Sequence, residues 1–315
     1  MQTSRTITPS LLSTLLLVIS AFCVLPAIAQ QLDKPDLIQS FPVGPEPWGL
    51  VSDGENIWIM SLGSSNVTKL RASDGALLGS FPAGGLSANA AFDGANIWVA
   101  NLYDDTVTKL RASDGSLQGR FPVGSYPTGV AFDGTNIWVA NQFGDSVTKL
   151  RASDGVEVGT FLVAGQPSDL IFDGANIWVT SFAAGTVTKL LAEDGTFLGK
   201  TAVGAQPAGL TFDGTHVWVA NSYDNTVSKL KAVNGSLEGT FSVGRNPLNL
   251  AFDGKNIWVT NVEDNTVMRL RHSNGAIQHI YRLEDSPIRV LFDSTAIWVT
   301  NNGSNTVSKI TRMPR

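Results

Sequence analysis

Asp53, Asp93, Asp133, Asp173, Asp213, Asp253 and Asp293 stand 40 residues apart, and a tryptophan follows each one five residues later, from Trp58 to Trp298. All six intervals are equal, so seven copies of one unit fill the chain from about residue 35 to its end. A period this strict marks a supersecondary unit that buries its apolar faces against copies of itself.

The unit reads as β structure. In the third copy, Gly129-Val-Ala-Phe132 is a short apolar run closed by Asp133-Gly134, and Asn136-Ile-Trp-Val-Ala-Asn141 is rich in β-branched and aromatic residues. Val147 to Ala152 forms a third run, ending in Ser153-Asp154-Gly155, a tight-turn signal, and Val156 to Val163 forms a fourth. Four short strands per 40 residues, with no competing helical period, predict one propeller blade of strands A to D. The expected fold is all-β, a seven-bladed β-propeller with four antiparallel strands per blade.

The termini predict how the ring closes. The last copy ends after its third strand, Val307 to Thr311, whereas Leu37 to Val43 supplies a surplus strand of the D type. One N-terminal strand beside three C-terminal strands completes the last blade and leaves no open edge. A linear array needs capping units, and none is visible.

Residues 1–29 have the character of a secretory signal peptide: Arg5, an apolar stretch from Leu11 to Leu25, and the small-x-small site Ala27-Ile28-Ala29. Cleavage after Ala29 leaves residues 30–315 as a single propeller domain. Phe22 before Cys23 argues against a lipoprotein. Cys23 is the one cysteine, so the mature chain has none, and it is long enough to build a core without disulfides. A formal charge of −5 argues against nucleic acid as a partner, and no later segment is apolar enough for a membrane span. The expected product is a periplasmic or secreted monomer.

The repeated residues give scaffold, so function is sought where the copies differ. The A–B turns (Asp-Gly-x-Asn) and C–D turns (Asp-Gly or Asn-Gly) scarcely vary, but the B–C and D–A loops of the other face do. Those loop sets hold Glu46, Asp104, Asp105, Asp145, Asp169, Asp224, Glu263, Asp264, Glu284 and Asp285 against Arg245 and Arg289, with aromatic residues among them. An acidic, aromatic face suits a protein or small-molecule partner, in particular a cationic one. The candidate ligand-binding residues are Trp48, Tyr103, Asp104, Asp105, Tyr126, Phe143, Asp145, Tyr223, Asp224, Glu263, Asp264 and Arg289. Trp48 is the sharpest, being the one tryptophan outside the repeated slot. The recurring Lys69, Lys109, Lys149, Lys189, Lys229, Arg269 and Lys309 read as stems lying along the blade surface with solvated heads.

Recognisable reaction chemistry is sparse. His216, His272 and His279 all fall away from the variable face, and no nucleophile-elbow, zincin or phosphate-loop motif occurs. Asp104-Asp105 and Glu263-Asp264 lack the spacing of a calcium loop. No catalytic residue, metal or cofactor is assigned.

Trp98-Val-Ala-Asn101, Thr106-Val-Thr-Lys-Leu110, Phe121-Pro-Val-Gly124 and Pro127-x-Gly129-Val-Ala-Phe132 resemble the YVTN/NHL-type propeller repeats of bacterial extracytoplasmic proteins, with Trp in place of the signature Tyr. The streptogramin lyases are similar in repeat layout. In that family a catalytic His follows the proline opening a strand A, and an essential Glu follows the strand-B Trp motif. Here the first slot holds Trp48, Ala88, Thr128, Ser168, Ala208, Leu248 and Ile288, and the second only Asn or Ser. The resemblance therefore implies the fold without that lyase chemistry. Two readings stay open: an extracytoplasmic binding protein using the D–A and B–C loop face, or a lyase or lactone hydrolase of the streptogramin-lyase or gluconolactonase type with a metal at the channel mouth.

Overall fold

The computed structural model of the chain describes residues 36–312. The signal peptide expected at residues 1–29 lies outside the described residues. Seven four-stranded antiparallel sheets are arranged in a ring, built from 28 strands, and one 3-10 turn, Asn302–Ser304, is the only helical element among the described residues. Blade one comprises strand A (Pro47–Ser52), B (Asn56–Ser61), C (Asn66–Arg71) and D (Leu77–Pro82), and the pattern repeats through blade six. No helix among the described residues is long and apolar enough to cross a membrane.

Blade seven closes the ring as the termini predict. Its strands Pro287–Phe292, Ile297–Asn301 and Thr306–Thr311 are completed by Leu37–Pro42, which pairs antiparallel to Thr306–Thr311 from Leu37 opposite Thr311 to Pro42 opposite Thr306. Phe41 packs on Trp298 at 5.7 Å between ring centroids. The pairing covers the outer edge of Thr306–Thr311 and gives the last blade the same four-stranded build as the others.

The core is a set of inter-blade layers. Trp98 of blade two is fully buried against Val130, Ile137 and Val139 of blade three, and the other repeated tryptophans are equally buried. Burial of an indole requires a partner for its N–H. The repeated aspartate supplies it: in all seven blades the indole Nε1 donates to the Asp five residues earlier, at 2.7 to 2.8 Å. The Asp–x4–Trp spacing is thus one physical unit, a turn whose carboxylate also anchors the core. In the C–D turn, Gly155 has φ +76°, and a Cβ there would meet the Phe121 ring of the preceding blade at 2.0 Å. Only glycine fits that position.

The repeated lysines depart from the sequence expectation. Lys149 is 3% exposed. Its Nζ donates to the carbonyls of Ala192 and Glu193 in the next blade, both at 2.8 Å, and lies 4.9 Å from the centre of the Trp138 ring. Lys69, Lys109, Lys189 and Lys309 make the same bridge to the neighbouring C–D turn. A charged side chain in a strand suggests exposure. The C–D turn carbonyls of the adjacent blade instead offer acceptors inside the interface, and the indole face offers a favourable site for the cation. These ammonium groups are therefore satisfied between blades rather than solvated.

Candidate functional site

The inner strands contact one another around the ring, and each carries a register shift against strand B just after its opening proline or serine. In blade three Pro127 pairs with Asn141 and Gly129 with Ala140, so Thr128 has no partner. A bulge of this kind re-aims side chains. Here it turns the two residues after the proline into the channel.

The second of these slots reads Gly49, Asn89, Gly129, Asp169, Gly209, Asn249, Arg289 around the ring. Glycine alternates with a polar side chain because space requires it. A Cβ on Gly49 would lie 2.3 Å from Ala88 O, one on Gly129 2.9 Å from Asp169 Cα, and one on Gly209 2.5 Å from Asn249 Nδ2. The polar side chains fill the axis. Arg289 of blade seven donates to Asp169 Oδ2 of blade four at 2.5 Å, with the side chains 15% and 7% exposed. Asn89 of blade two reaches Asp169 Oδ1 at 3.4 Å, and Asn249 Oδ1 accepts the amide of Val290 at 3.1 Å.

A buttress stands behind three members of this floor. The bulge frees the amides of Asp169, Asn249 and Arg289, and each donates to a strand-B threonine: Thr180 at 3.1 Å, Thr260 at 3.0 Å and Thr300 at 3.0 Å. Each threonine hydroxyl donates in turn to a carbonyl of the next blade, Ala208, Ile288 or Trp48. Met or Ala fills the same strand-B slot in the other four blades. A buried charged pair is stable only when its remaining hydrogen-bonding groups and geometry are fixed, and these bridges fix them.

Above the floor is a cup of about 300 Å³ that opens among the B–C and D–A loops. Trp48, Leu62, Leu102, Phe182, Leu248 and Ile288 give it an apolar wall, while Tyr126, Thr128, Gln142 and Ser168 add polar edges and Asp169, Asn249 and Arg289 the base. Its size lies at the small end of small-molecule sites, and its composition is typical of them.

The residues singled out from sequence are distributed unevenly over this site. Trp48, Tyr126 and Arg289 line the cup. Tyr103 and Phe143 flank Tyr126 with ring centroids 6.0 and 4.4 Å away, extending the wall outward, and Tyr103 is 70% exposed. Burial, with Tyr103 close by, pushes the Tyr126 phenol above its ordinary pKa. Tyr223 is exposed on blade five.

The acidic candidates staple loops together. Asp104 accepts the amide of Gly85, Asp105 that of Tyr126, Asp145 those of Gly165 and Gln166, and Asp224 that of Ala205. Asp264 accepts the Arg245 amide and its Nε, both at 2.7 Å, and these two bonds hold its carboxyl below the usual range. Glu263 lies 3.9 Å from the same guanidinium. Asp105 and Asp145 have φ of 50° and 46°, a region that Asp and Asn tolerate, which explains why Asp, Asn or Gly fills this position in six blades. Among the described residues no group of three or more His, Cys, Asp or Glu side chains is placed to hold a metal ion.

Asp169, Asn249 and the threonine buttress are absent from the candidates that the sequence singles out. Their signal is a Gly/polar alternation in one slot and Thr in place of Met or Ala at 180, 260 and 300.

No protein-family model matches the chain, and neither does any curated protein sequence. Solved structures do match. A streptogramin B lyase is 18% identical with a TM-score of 0.75, over 88% of this chain and 97% of its own. Virginiamycin B lyase from Staphylococcus aureus is 18% identical with a TM-score of 0.76, over 88% of this chain and all of its own. Kuenenia stuttgartiensis hydrazine synthase is 16% identical with a TM-score of 0.77, over 85% of this chain and 96% of that one. The chain therefore has the seven-bladed β-propeller fold seen in the streptogramin B lyases.

Proposed function

We propose that this chain is an extracytoplasmic binding protein that holds a small ligand in the cup at the mouth of its channel, on the face formed by the D–A and B–C loops. The observation that carries the reading is the buttressed, asymmetric floor beneath an apolar wall. Seven near-identical blades have no structural need for three different polar side chains packed into their axis, nor for threonines placed only behind those three. Polar groups held rigidly at the base of an apolar pocket are what a binding site needs to fix a ligand's orientation. Export rests on the character of residues 1–29 and is part of the proposal. The lyase slots of this sequence hold no His or Glu, which favours binding over that chemistry.

Ala208→Trp tests the reading. Ala208 lines the cup in the slot that Trp48 occupies in blade one, so the backbone there accommodates an indole that would fill the space. Compounds from a small-molecule library that raise the unfolding temperature of the mature protein should lose that effect in Ala208→Trp. Hits that stabilise both proteins equally would refute the cup as the site.

A further inference from the structure

The hydrogen-bonding state of the floor points to the class of ligand, taking the cup as the binding site. Its acceptors are engaged. Asp169 Oδ2 receives Arg289, Asp169 Oδ1 receives the amide of Leu170 at 3.0 Å and Asn89 at 3.4 Å, and Asn249 Oδ1 receives Val290. Its donors are left over. Asn249 is 6% exposed, yet its Nδ2 has no acceptor among the described residues. Arg289 uses one N–H of its guanidinium, leaving four of about five without a protein acceptor. On the wall, the Trp48 indole N–H is likewise without a partner among the described residues, whereas every repeated tryptophan has one.

The geometry points to an uncharged ligand with an apolar body and an acceptor oxygen, a carbonyl or ether, seated at the Asn249–Arg289 end of the cup. A cation finds each acceptor oxygen there already engaged by a protein donor and meets the guanidinium. An anion gains little from Arg289, because Asp169 already neutralises it, and must pass a mouth whose loops carry more carboxylates than cations. An uncharged oxygen takes up these open N–H groups at no such cost, and donors that a ligand would bury unpaired are what a site of this kind penalises. This differs from the cationic partner expected from the loop sequence, because the acidic side chains that suggested it accept backbone amides outside the cup and supply no acceptor at its floor.

Three probes with one phenylalkyl body separate the possibilities: benzylacetone (uncharged ketone), phenylpropylammonium (cation) and hydrocinnamate (anion). Binding to the mature protein is followed by ligand-observed NMR and calorimetry at up to about 1 mM, the weak end of specific association. Benzylacetone should bind at least about tenfold more tightly than the ammonium compound and more tightly than hydrocinnamate. Asn249→Ala should weaken benzylacetone several-fold. Asp169→Leu/Arg289→Met, which removes both charges together, should erase the ketone's advantage. Equal or tighter binding of either ion, indifference to Asn249→Ala, or no binding by any probe would overturn the inference. Ala208→Trp keeps the two proposals apart: probes that bind it as they bind the wild type refute the cup itself, whereas probes excluded by it but ranked differently refute only the ligand class.

Discussion

Replacing Asp133 by alanine should reveal how much of the ring depends on the repeated Asp–x4–Trp unit. Asp133 Oδ1 accepts the amides of Thr135 at 2.8 Å and Asn136 at 2.6 Å, and Oδ2 accepts Asn136 Nδ2 at 3.1 Å and the Trp138 indole at 2.8 Å. The indole matters most, because Trp138 is buried and its N–H has no alternative acceptor. Leaving a buried donor unpaired costs about 1–3 kcal/mol, and losing the turn-fixing bonds adds about 1 kcal/mol. The sum is roughly 2–4 kcal/mol, large against the ~5–15 kcal/mol of a typical domain. Asp133→Asn should be no rescue, since its amide nitrogen would face the indole N–H. Urea unfolding gives the cost, and a cycle with Trp138→Phe isolates the bond. A phenyl ring carries no donor, so Asp133→Ala should be about 1–2 kcal/mol less costly in the Trp138→Phe background. A cost below about 0.5 kcal/mol, or the same cost in both backgrounds, would refute the assignment of the aspartate as the indole's anchor.

Three further outcomes follow from the same architecture. In Asp53, Asp93, Asp133, Asp173, Asp213 and Asp253, burial raises the carboxyl pKa but is outweighed by hydrogen bonds from the indole and neighbouring amides, so each lies below its ordinary 3.8. A lowered folded pKa gives stability that is complete above the unfolded value and lost as pH falls through the folded one. The urea midpoint should therefore drop below about pH 4, less steeply in Asp133→Ala, and a midpoint that rose on acidification would contradict this. Lys149→Met, which strands the carbonyls of Ala192 and Glu193 and removes the cation from the Trp138 face, should cost about 2–4 kcal/mol in the same assay, and a change within about 0.5 kcal/mol would return the lysine to a solvated role. Deleting the closing strand through Pro42 should expose the edge of Thr306–Thr311, lower the unfolding temperature and produce self-association by light scattering, whereas a stable monomer would show that closure is dispensable.

The sequence made the scaffold legible because each scaffold residue appears seven times, and repetition distinguishes packing from accident. Blade number, strand number, turn positions and the closing strand all follow from spacing and register. The lysine slot misled for a local reason. A charge in a strand looks solvated until the acceptor is known, and that acceptor is a carbonyl about one blade further along, such as Ala192 for Lys149. The site was half legible. Trp48 and Arg289 stand out as exceptions within their slots, but Asp169 is 120 residues from its partner, and only the closure of seven blades brings the fourth against the seventh. The acidic loops were legible as acidic. Their use as backbone caps was not, because that depends on left-handed φ values and on contacts about 20 residues away.

That division suggests how a symmetric scaffold acquires a specific site. Seven equal blades would point seven equal side chains at the axis, where there is room for fewer. Glycine at Gly49, Gly129 and Gly209 relieves the crowding and thereby leaves space for four polar neighbours of three kinds, Asn89, Asp169, Asn249 and Arg289. Steric relief and asymmetry are thus one event in this slot. The bulge needed to turn strand A inward also releases an amide, which threonine takes up only where a charged or amide side chain must be held, in blades four, six and seven. Blade two is the informative exception. Asn89 has Ala100 behind it instead of threonine, and its bond to Asp169 is the longest in the floor at 3.4 Å. Hydrogen-bonded anchoring of the floor backbone therefore follows the threonines, and the donors that face the cup without a partner, on Asn249 and Arg289, belong to blades that have them.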